Sequence, residues 1–153
     1  MVRLFENAVS AVGQAAAYAL LPLALLQVAI LVARRFGHTA VAAGEIATWI
    51  AVPVGLLTIP WVLQLNAHVA ADALAERFPP AVRRVVETLA LLLALAFALA
   101  LMWLSAPYAW GAFVTGEGSL AMSGLGFRWV PKAIVPLFAL LLALQAVASL
   151  VRR

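Results

Sequence analysis

Four long apolar runs without Asp, Glu, Lys or Arg dominate this 153-residue sequence. They cover residues 7–33, 46–71, 88–116 and 133–151, and each holds between 19 and 29 residues. A helix needs about 20 apolar residues to cross the hydrocarbon core of a bilayer. Backbone polar groups there must be satisfied internally, and runs of this length indicate helices. The sequence therefore predicts an all-α integral membrane protein with four transmembrane helices.

The composition supports the same class. Hydrophobic residues make up 67% of the chain and charged residues 10%, whereas charged residues form about a quarter of a soluble domain. The first run exceeds the roughly 7 to 15 apolar residues of a signal peptide, so we expect it to remain as a helix. We predict a single membrane domain over 1–153, with helices at approximately 5–35, 45–74, 81–113 and 130–151.

The distribution of charge excludes several other classes. The net charge is +4, but the ten Lys and Arg residues stand at the ends of the apolar runs rather than in a stripe with interleaved aromatic residues. We therefore expect a lipid bilayer as the surroundings and no nucleic-acid partner. The absence of Cys excludes disulfides, thiolate metal sites and iron–sulfur clusters.

A polar stretch at 66–84 divides the four runs into two hairpins. Its Phe78-Pro79-Pro80 step interrupts any helix, because Pro lacks the backbone donor and restricts the residue before it. With the N-terminus inside, six Lys and Arg residues lie on the inner side and four on the outer side. Both termini and this connection are thus predicted to be cytoplasmic. The polar residues assigned to the cytoplasmic connection are His68, Asp72, Arg83 and Arg84.

Helix length and small side chains predict how the spans pack. The first and third runs would reach about 40 Å and 43 Å as regular helices, so we expect over-long, tilted helices. The third run has Ala at four-residue spacing, which lets another helix approach closely. The second run has Pro, which kinks membrane helices and frees carbonyls. The candidate subunit interface is Ala90, Ala94, Ala98, Gln27, Gln145, Pro53 and Pro60. Alternatively, these residues hold the four helices to each other.

The spans carry little chemistry of their own. Pumps and coupled transporters place ionisable residues inside the membrane, but none of the four runs holds one. A membrane cytochrome would hold haem between His residues of facing helices, yet His38 and His68 fall on opposite sides in the predicted topology. No Ser or Thr has a His and a carboxylate at helical spacing. We predict that the chain is not an enzyme and holds no cofactor or metal.

The order and spacing of short motifs resemble the small permease subunit (Q-type, DctQ-like) of tripartite ATP-independent periplasmic (TRAP) transporters. The resemblance covers nearly the whole chain. It rests on Arg35-Phe36-Gly37, Glu45, His68, Asp72-Ala73-Leu74, the segment 78–84, Gly116-Glu117, Ser119, the segment 124–132, Pro136 and Leu144-Gln145-Ala146.

The resemblance implies a scaffold, or stator, for a larger subunit in the bacterial inner membrane. Its expected partners are a large (M-type) permease subunit and a periplasmic substrate-binding protein, with transport driven by a sodium gradient. The candidate periplasmic docking residues are Arg34, Arg35, Glu45, Glu117 and Arg128, which could instead be ordinary helix-end anchors. A free-standing four-helix structural or assembly protein is the alternative function, and it would need no such partners.

Overall fold

A computed structural model describes residues 2–38, 41–65, 78–118 and 125–152 of the chain. These ranges contain no strand and five helices: α1 (Val2–Tyr18), α2 (Leu20–Arg35), α3 (Val41–Gln64), α4 (Pro80–Val114) and α5 (Trp129–Val151). Four stretches are long and apolar enough to cross a membrane: Glu6–Arg35, Val41–Gln64, Pro80–Val114 and Trp129–Val151. The predicted all-α fold with four membrane-spanning helices is confirmed. His68 and Asp72 of the predicted cytoplasmic connection lie outside the described residues.

The first span is broken at Ala19, whereas the sequence analysis predicts one helix over 5–35. Pro22 explains the break, because it has no N–H to donate to the Tyr18 carbonyl and its ring crowds that carbonyl. Ala19 keeps a helical conformation, with φ −70° and ψ −13°. Its N–H is shared between the Ala15 and Ala16 carbonyls at 3.2 and 3.1 Å. The span therefore stays helical on both sides of a local break.

Among the other three spans, α3 differs most from the predicted bounds. α4 and α5 begin one residue before the predicted helices 81–113 and 130–151, and α4 ends one residue later than predicted. α3 covers Val41–Gln64, and residues 66–74 of the predicted helix 45–74 lie outside the described residues. α3 can begin early because Gly37, with φ 80°, turns the chain directly after α2. Its end at Gln64 is followed by a turn at Leu65. α3 continues through Pro53 and Pro60 without losing its helical assignment.

α5 is the most buried helix and joins the others. α4 packs along α5, which also packs against α3 and α1, while α2 packs on α3 and α1. One face of α5 supplies Phe138, Leu141 and Leu142 to the core cluster. The remaining buried members of the cluster are Val9, Ala16, Leu57 and Ala98. The core is therefore shared by all four spans.

Polar contacts mark one end of the bundle, which we call the terminal end. The Arg152 Nη1 atom lies 2.8 Å from Glu6 Oε1, and Gln64 Nε2 donates to the Glu6 carbonyl at 3.3 Å. These contacts bring together the start of α1, the end of α3 and the end of α5. The opposite end holds the α2–α3 connection and the region between α4 and α5. Spans that follow each other in the sequence therefore run antiparallel.

α1 and α3 approach each other closely at Gly13 and Trp61. A Cβ atom built on Gly13 would lie 2.3 Å from Trp61 Cβ and 2.7 Å from Trp61 Cγ. Real Cβ atoms do not approach other carbon atoms so closely, since cores are packed at van der Waals distance. The two helices can therefore have this separation only with Gly at position 13.

Candidate functional site

The end of α4 carries a Schellman cap that fixes the position of Glu117. Gly116 has φ 60°, and its N–H donates to the Phe113 carbonyl at 3.1 Å. The Glu117 N–H donates to the Ala112 carbonyl at 3.0 Å. This pair of bonds satisfies carbonyls that the helix end would leave unpaired, and it needs a left-handed residue such as Gly. The cap therefore holds Glu117 beside the start of α5.

Glu117 is the centre of a charged group that we call the Glu117 cluster, formed with Tyr108, Arg128 and Lys132. Lys132 Nζ donates to Glu117 Oε2 and lies 4.0 Å from the centroid of the Tyr108 ring. Arg128 Nε is 3.7 Å from Glu117 Oε1, and the Arg128 N–H donates to the Glu117 carbonyl at 3.2 Å. Lys132 has only 13% of its side chain exposed, against 33% for Glu117. The cluster joins α4, α5 and the connection between them.

The charge environment stabilises the ionised form of Glu117. The hydrogen bond from Lys132, with the charges of Lys132 and Arg128, holds the pKa of Glu117 below its ordinary value of 4.5, although desolvation acts in the opposite direction. A carboxyl group whose pKa is lower in the folded state stabilises that state above its unfolded pKa. This contribution is lost as the pH falls through the folded pKa.

We expect Glu117→Gln to lower the midpoint of thermal unfolding in mild detergent at neutral pH. The unfolding midpoint of the variant should differ most from that of the wild type above pH 4.5. The difference should shrink as the pH falls below that value, because the wild-type carboxyl group is then protonated and becomes neutral too. Glu87→Gln is the control, since Glu87 pairs with Arg83 at 2.7 Å on one exposed turn of α4 and such pairs contribute a few tenths of a kcal/mol. A Glu117→Gln difference that persists unchanged at acid pH would contradict this account.

The other predicted docking residues lie at the α2–α3 connection. α2 ends in a second Schellman cap, in which the His38 N–H donates to the Ala33 carbonyl at 3.0 Å and the Gly37 N–H to the Arg34 carbonyl at 3.1 Å. Arg34 and Arg35 are exposed in the last turn of α2, and Glu45 is half-buried near the start of α3. Arg34 also lines a groove of about 460 Å³ with Gln27 and Thr48. Gln27 and Arg34 thus share one face.

The predicted interface residues divide between the surface and the interior of the chain. On α4, Ala90 is exposed, Ala94 is half-buried and Ala98 is 0% exposed within the core cluster. Gln145 is 1% exposed, and its Nε2 donates to Ser149 Oγ at 3.2 Å. The burial of Ala98 and Gln145 favours the alternative that these two residues hold the chain's own helices together.

The two prolines of α3 also differ in burial. Pro60 is fully buried inside the bundle, whereas Pro53 is half-buried. Pro53 lines an apolar groove of about 340 Å³ with Ala15, Ala16 and Ala19 of the first span. Of these two prolines, only Pro53 is exposed enough to contact another subunit.

A sequence comparison identifies the family. The family described as "Tripartite ATP-independent periplasmic transporters, DctQ component" matches residues 23–153. The chain belongs to the DctQ family. A search of curated proteins and a search of solved structures find no match. The match runs from within α2 through α5 and therefore contains the Glu117 cluster. This DctQ chain is a small membrane subunit of a TRAP transporter and a multi-pass membrane protein.

Sequence reasoning missed several residues of this DctQ chain that the structure brings together. The sequence analysis names neither Tyr108 nor Lys132 as a candidate site residue. α5 begins at Trp129, so Lys132 lies in its first turn. This position next to the predicted start of a helix is the signal that could have indicated a cation packed against the end of the bundle. The packed seam of α4 was predicted only at Ala98, because its members are separated by seven, eleven and three residues. Its buried members are Leu91, Ala98, Ala109 and Ala112.

Two further polar residues of the sequence analysis that the structure describes lie near helix ends. His38 is exposed at the end of α2, and Arg84 is exposed near the start of α4. Within the described ranges, no group of three or more His, Cys, Asp or Glu side chains could hold a metal ion. The ion pairs in this part of the chain include Arg83 with Glu87.

Proposed function

We propose that this chain is the scaffold, or stator, subunit of a sodium-gradient-driven, binding-protein-dependent TRAP transporter in the bacterial inner membrane. In this proposal both termini are cytoplasmic, so the terminal end faces the cytoplasm and the Glu117 cluster faces the periplasm. The chain neither moves solute nor catalyses a reaction. It braces a large permease subunit in the bilayer.

The observation that carries the proposal is the contrast between uncharged spans and a large apolar surface. No run contains Asp, Glu, Lys or Arg, so the spans offer no charge to couple to an ion. Two helices nevertheless keep broad exposed apolar faces, which suit contact with lipid or with other transmembrane helices. The exposed large residues include Leu20, Leu21, Leu25, Val28, Leu31 and Val32 on α2, and Leu89, Leu92, Leu93, Phe97, Leu99, Trp103 and Leu104 on α4.

The large permease subunit is the partner that fits these faces. α4 is 35 residues long, which corresponds to about 52 Å of helix, longer than the bilayer core requires. It is packed on α5 and leaves its other sides exposed. Ala90 and the half-buried Ala94 give the exposed surface a small patch where another helix can approach closely. We therefore propose α4 and α2 as the helices that contact the permease.

The periplasmic binding protein is the second proposed partner, at the end that carries Arg34, Arg35, Glu45, Glu117 and Arg128. Exposed cations steer association more than they hold a complex. The double variant Arg34→Gln with Arg35→Gln should raise several-fold the binding-protein concentration that gives half-maximal uptake, and added salt should have a similar effect on the wild type. Unchanged uptake kinetics in this variant would instead assign both residues the role of helix-end anchors.

Co-purification tests whether the chain has its proposed permease partner. The tagged chain is co-expressed with the large permease subunit of the same transporter and purified in mild detergent. We expect a stable one-to-one complex, with an unrelated four-helix membrane protein carrying the same tag as the control. A monodisperse chain that does not retain the permease would contradict the proposal and support a free-standing structural or assembly protein.

A further inference from the structure

A groove between α3 and α4 opens beside the Glu117 cluster. Its volume is about 380 Å³, and α5 forms its floor. Trp49 and Val52 of α3 line one wall, Ser105 and Tyr108 of α4 line the other, and Arg128 and Lys132 lie at one end. The groove thus combines an apolar body with a cationic end.

The aromatic residues of α4 indicate the depth of this groove in the membrane. Tyr108 and Trp110 are exposed near the end of α4, and such residues concentrate at the level of the lipid headgroups. Lys132 lies over the Tyr108 ring and is therefore at that level. Ser105 is three residues before Tyr108 on its helix, which places it about 5 Å deeper toward the hydrocarbon. The groove accordingly runs from the headgroup level into the hydrocarbon.

The cationic end has an unused donor. Lys132 is occupied by Glu117 and Tyr108, but Arg128 Nε is 3.7 Å from Glu117 Oε1, beyond hydrogen-bond distance. The Arg128 Nη1 atom is buried and has no hydrogen-bond partner among the described residues. Within the Glu117 cluster, two cations face one carboxylate. A buried guanidinium donor needs an acceptor, and a phosphate oxygen is well suited to it.

We propose that this groove binds one anionic phospholipid, with its phosphate on Arg128 and an acyl chain along Trp49, Val52 and Val135. The groove is open at the surface between α3 and α4, so lipid reaches it without displacing protein. Its polar end is at headgroup depth and its apolar body is at acyl depth, as a phospholipid requires. An acidic side chain of a partner protein would use the cations but leave the apolar body unfilled.

Native mass spectrometry of the full chain in mild detergent tests the site with phosphatidylglycerol and phosphatidylcholine as probes. We expect the wild type to retain one phosphatidylglycerol in preference to phosphatidylcholine, and excess inorganic phosphate not to displace it. Arg128→Gln should weaken retention about tenfold, the scale of one charge-assisted hydrogen bond. Val52→Phe narrows the groove without changing charge and should also weaken retention. Circular dichroism verifies that both variants are folded.

Arg35→Gln is the matched control, because Arg35 is an exposed arginine at the same end of the bundle but outside this groove. It should retain phosphatidylglycerol as the wild type does. Equal losses in Arg35→Gln and Arg128→Gln would mean that overall charge attracts the lipid, and would overturn the assignment. Wild-type retention by both groove variants would overturn it too. Loss of the lipid on binding the permease would identify the groove as a protein interface and not a lipid site.

Discussion

Gly13→Ala should lower the free energy of unfolding of the chain by about 2 to 3 kcal/mol, near the upper end of the usual cost of overpacking. The added Cβ would lie 2.3 Å from Trp61 Cβ. This atom is attached directly to the α3 backbone, so no rotation of the Trp61 side chain can relieve the contact. α1 and α3 would have to move apart, which opens the core that contains Val9, Ala16 and Leu57. Thermal unfolding in mild detergent, followed by circular dichroism, measures the change.

Gly55→Ala is the control for this substitution. Gly55 also lies inside a helix, and a Cβ there would have no atom within 4 Å. Because Ala is a better helix former than Gly by about 1 kcal/mol, Gly55→Ala should leave stability unchanged or raise it slightly. Equal stability of Gly13→Ala and wild type would show that the close approach of α1 and α3 does not constrain the fold.

Ala98→Leu should destabilise the isolated chain by about 2 kcal/mol, because it adds three carbon atoms to a filled interior. Ala98 is 0% exposed and belongs to the core cluster with Phe138, Leu141 and Leu142 of α5. The same unfolding assay measures the effect. An unchanged unfolding midpoint would mean that α4 can separate from α5 at no cost, contrary to the packing of the seam.

Ala90→Leu is the matched control, because Ala90 lies two turns earlier on α4 and is exposed. Exposed substitutions usually change stability by less than about 0.5 kcal/mol, so the isolated chain should be unaffected. If Ala90 contacts the permease, Ala90→Leu should reduce co-purification while the chain itself remains stable. The pair of variants therefore separates packing within the chain from packing against a partner, which Ala98 alone cannot do.

Hydropathy was sufficient to predict four spans, because the physical requirement is simple. A run that crosses the bilayer must be long and uncharged, and the bounds of α4 and α5 follow from where charged residues and Pro stand. The turns at Gly37 and Gly116 follow from the freedom of Gly to adopt positive φ. The break at Ala19 was not predictable from Pro22 alone, because Pro53 and Pro60 also remove backbone donors and α3 continues through both.

The sequence could not predict which face of each helix is buried inside the bundle. α4 is apolar on all sides, so hydrophobic periodicity does not distinguish the seam at Leu91 and Ala98 from the exposed face at Leu93 and Phe97. Lipid-facing and core-facing positions accept the same residue types, because lipid tails are as apolar as Leu. Regular spacing of Ala therefore predicted close packing without indicating the partner helix.

The Glu117 cluster was unpredictable for a different reason. Glu117 and Lys132 are 15 residues apart, and a connection rich in Gly permits many loop conformations between them. Their pairing depends on how far α4 extends and on the cap that ends it. Sequence placed Glu117 and Arg128 at the same end of the protein, but only the packing of α4 on α5 places Lys132 between Glu117 and Tyr108.

Solute uptake into proteoliposomes tests the scaffold role most directly. The large permease is reconstituted with and without this chain, and uptake is measured with the binding protein present and an inward sodium gradient. Sodium-driven uptake should occur with both subunits and fall to the background of empty liposomes when this chain is omitted. Equal uptake by the permease alone would contradict the claim that this chain is an obligatory scaffold.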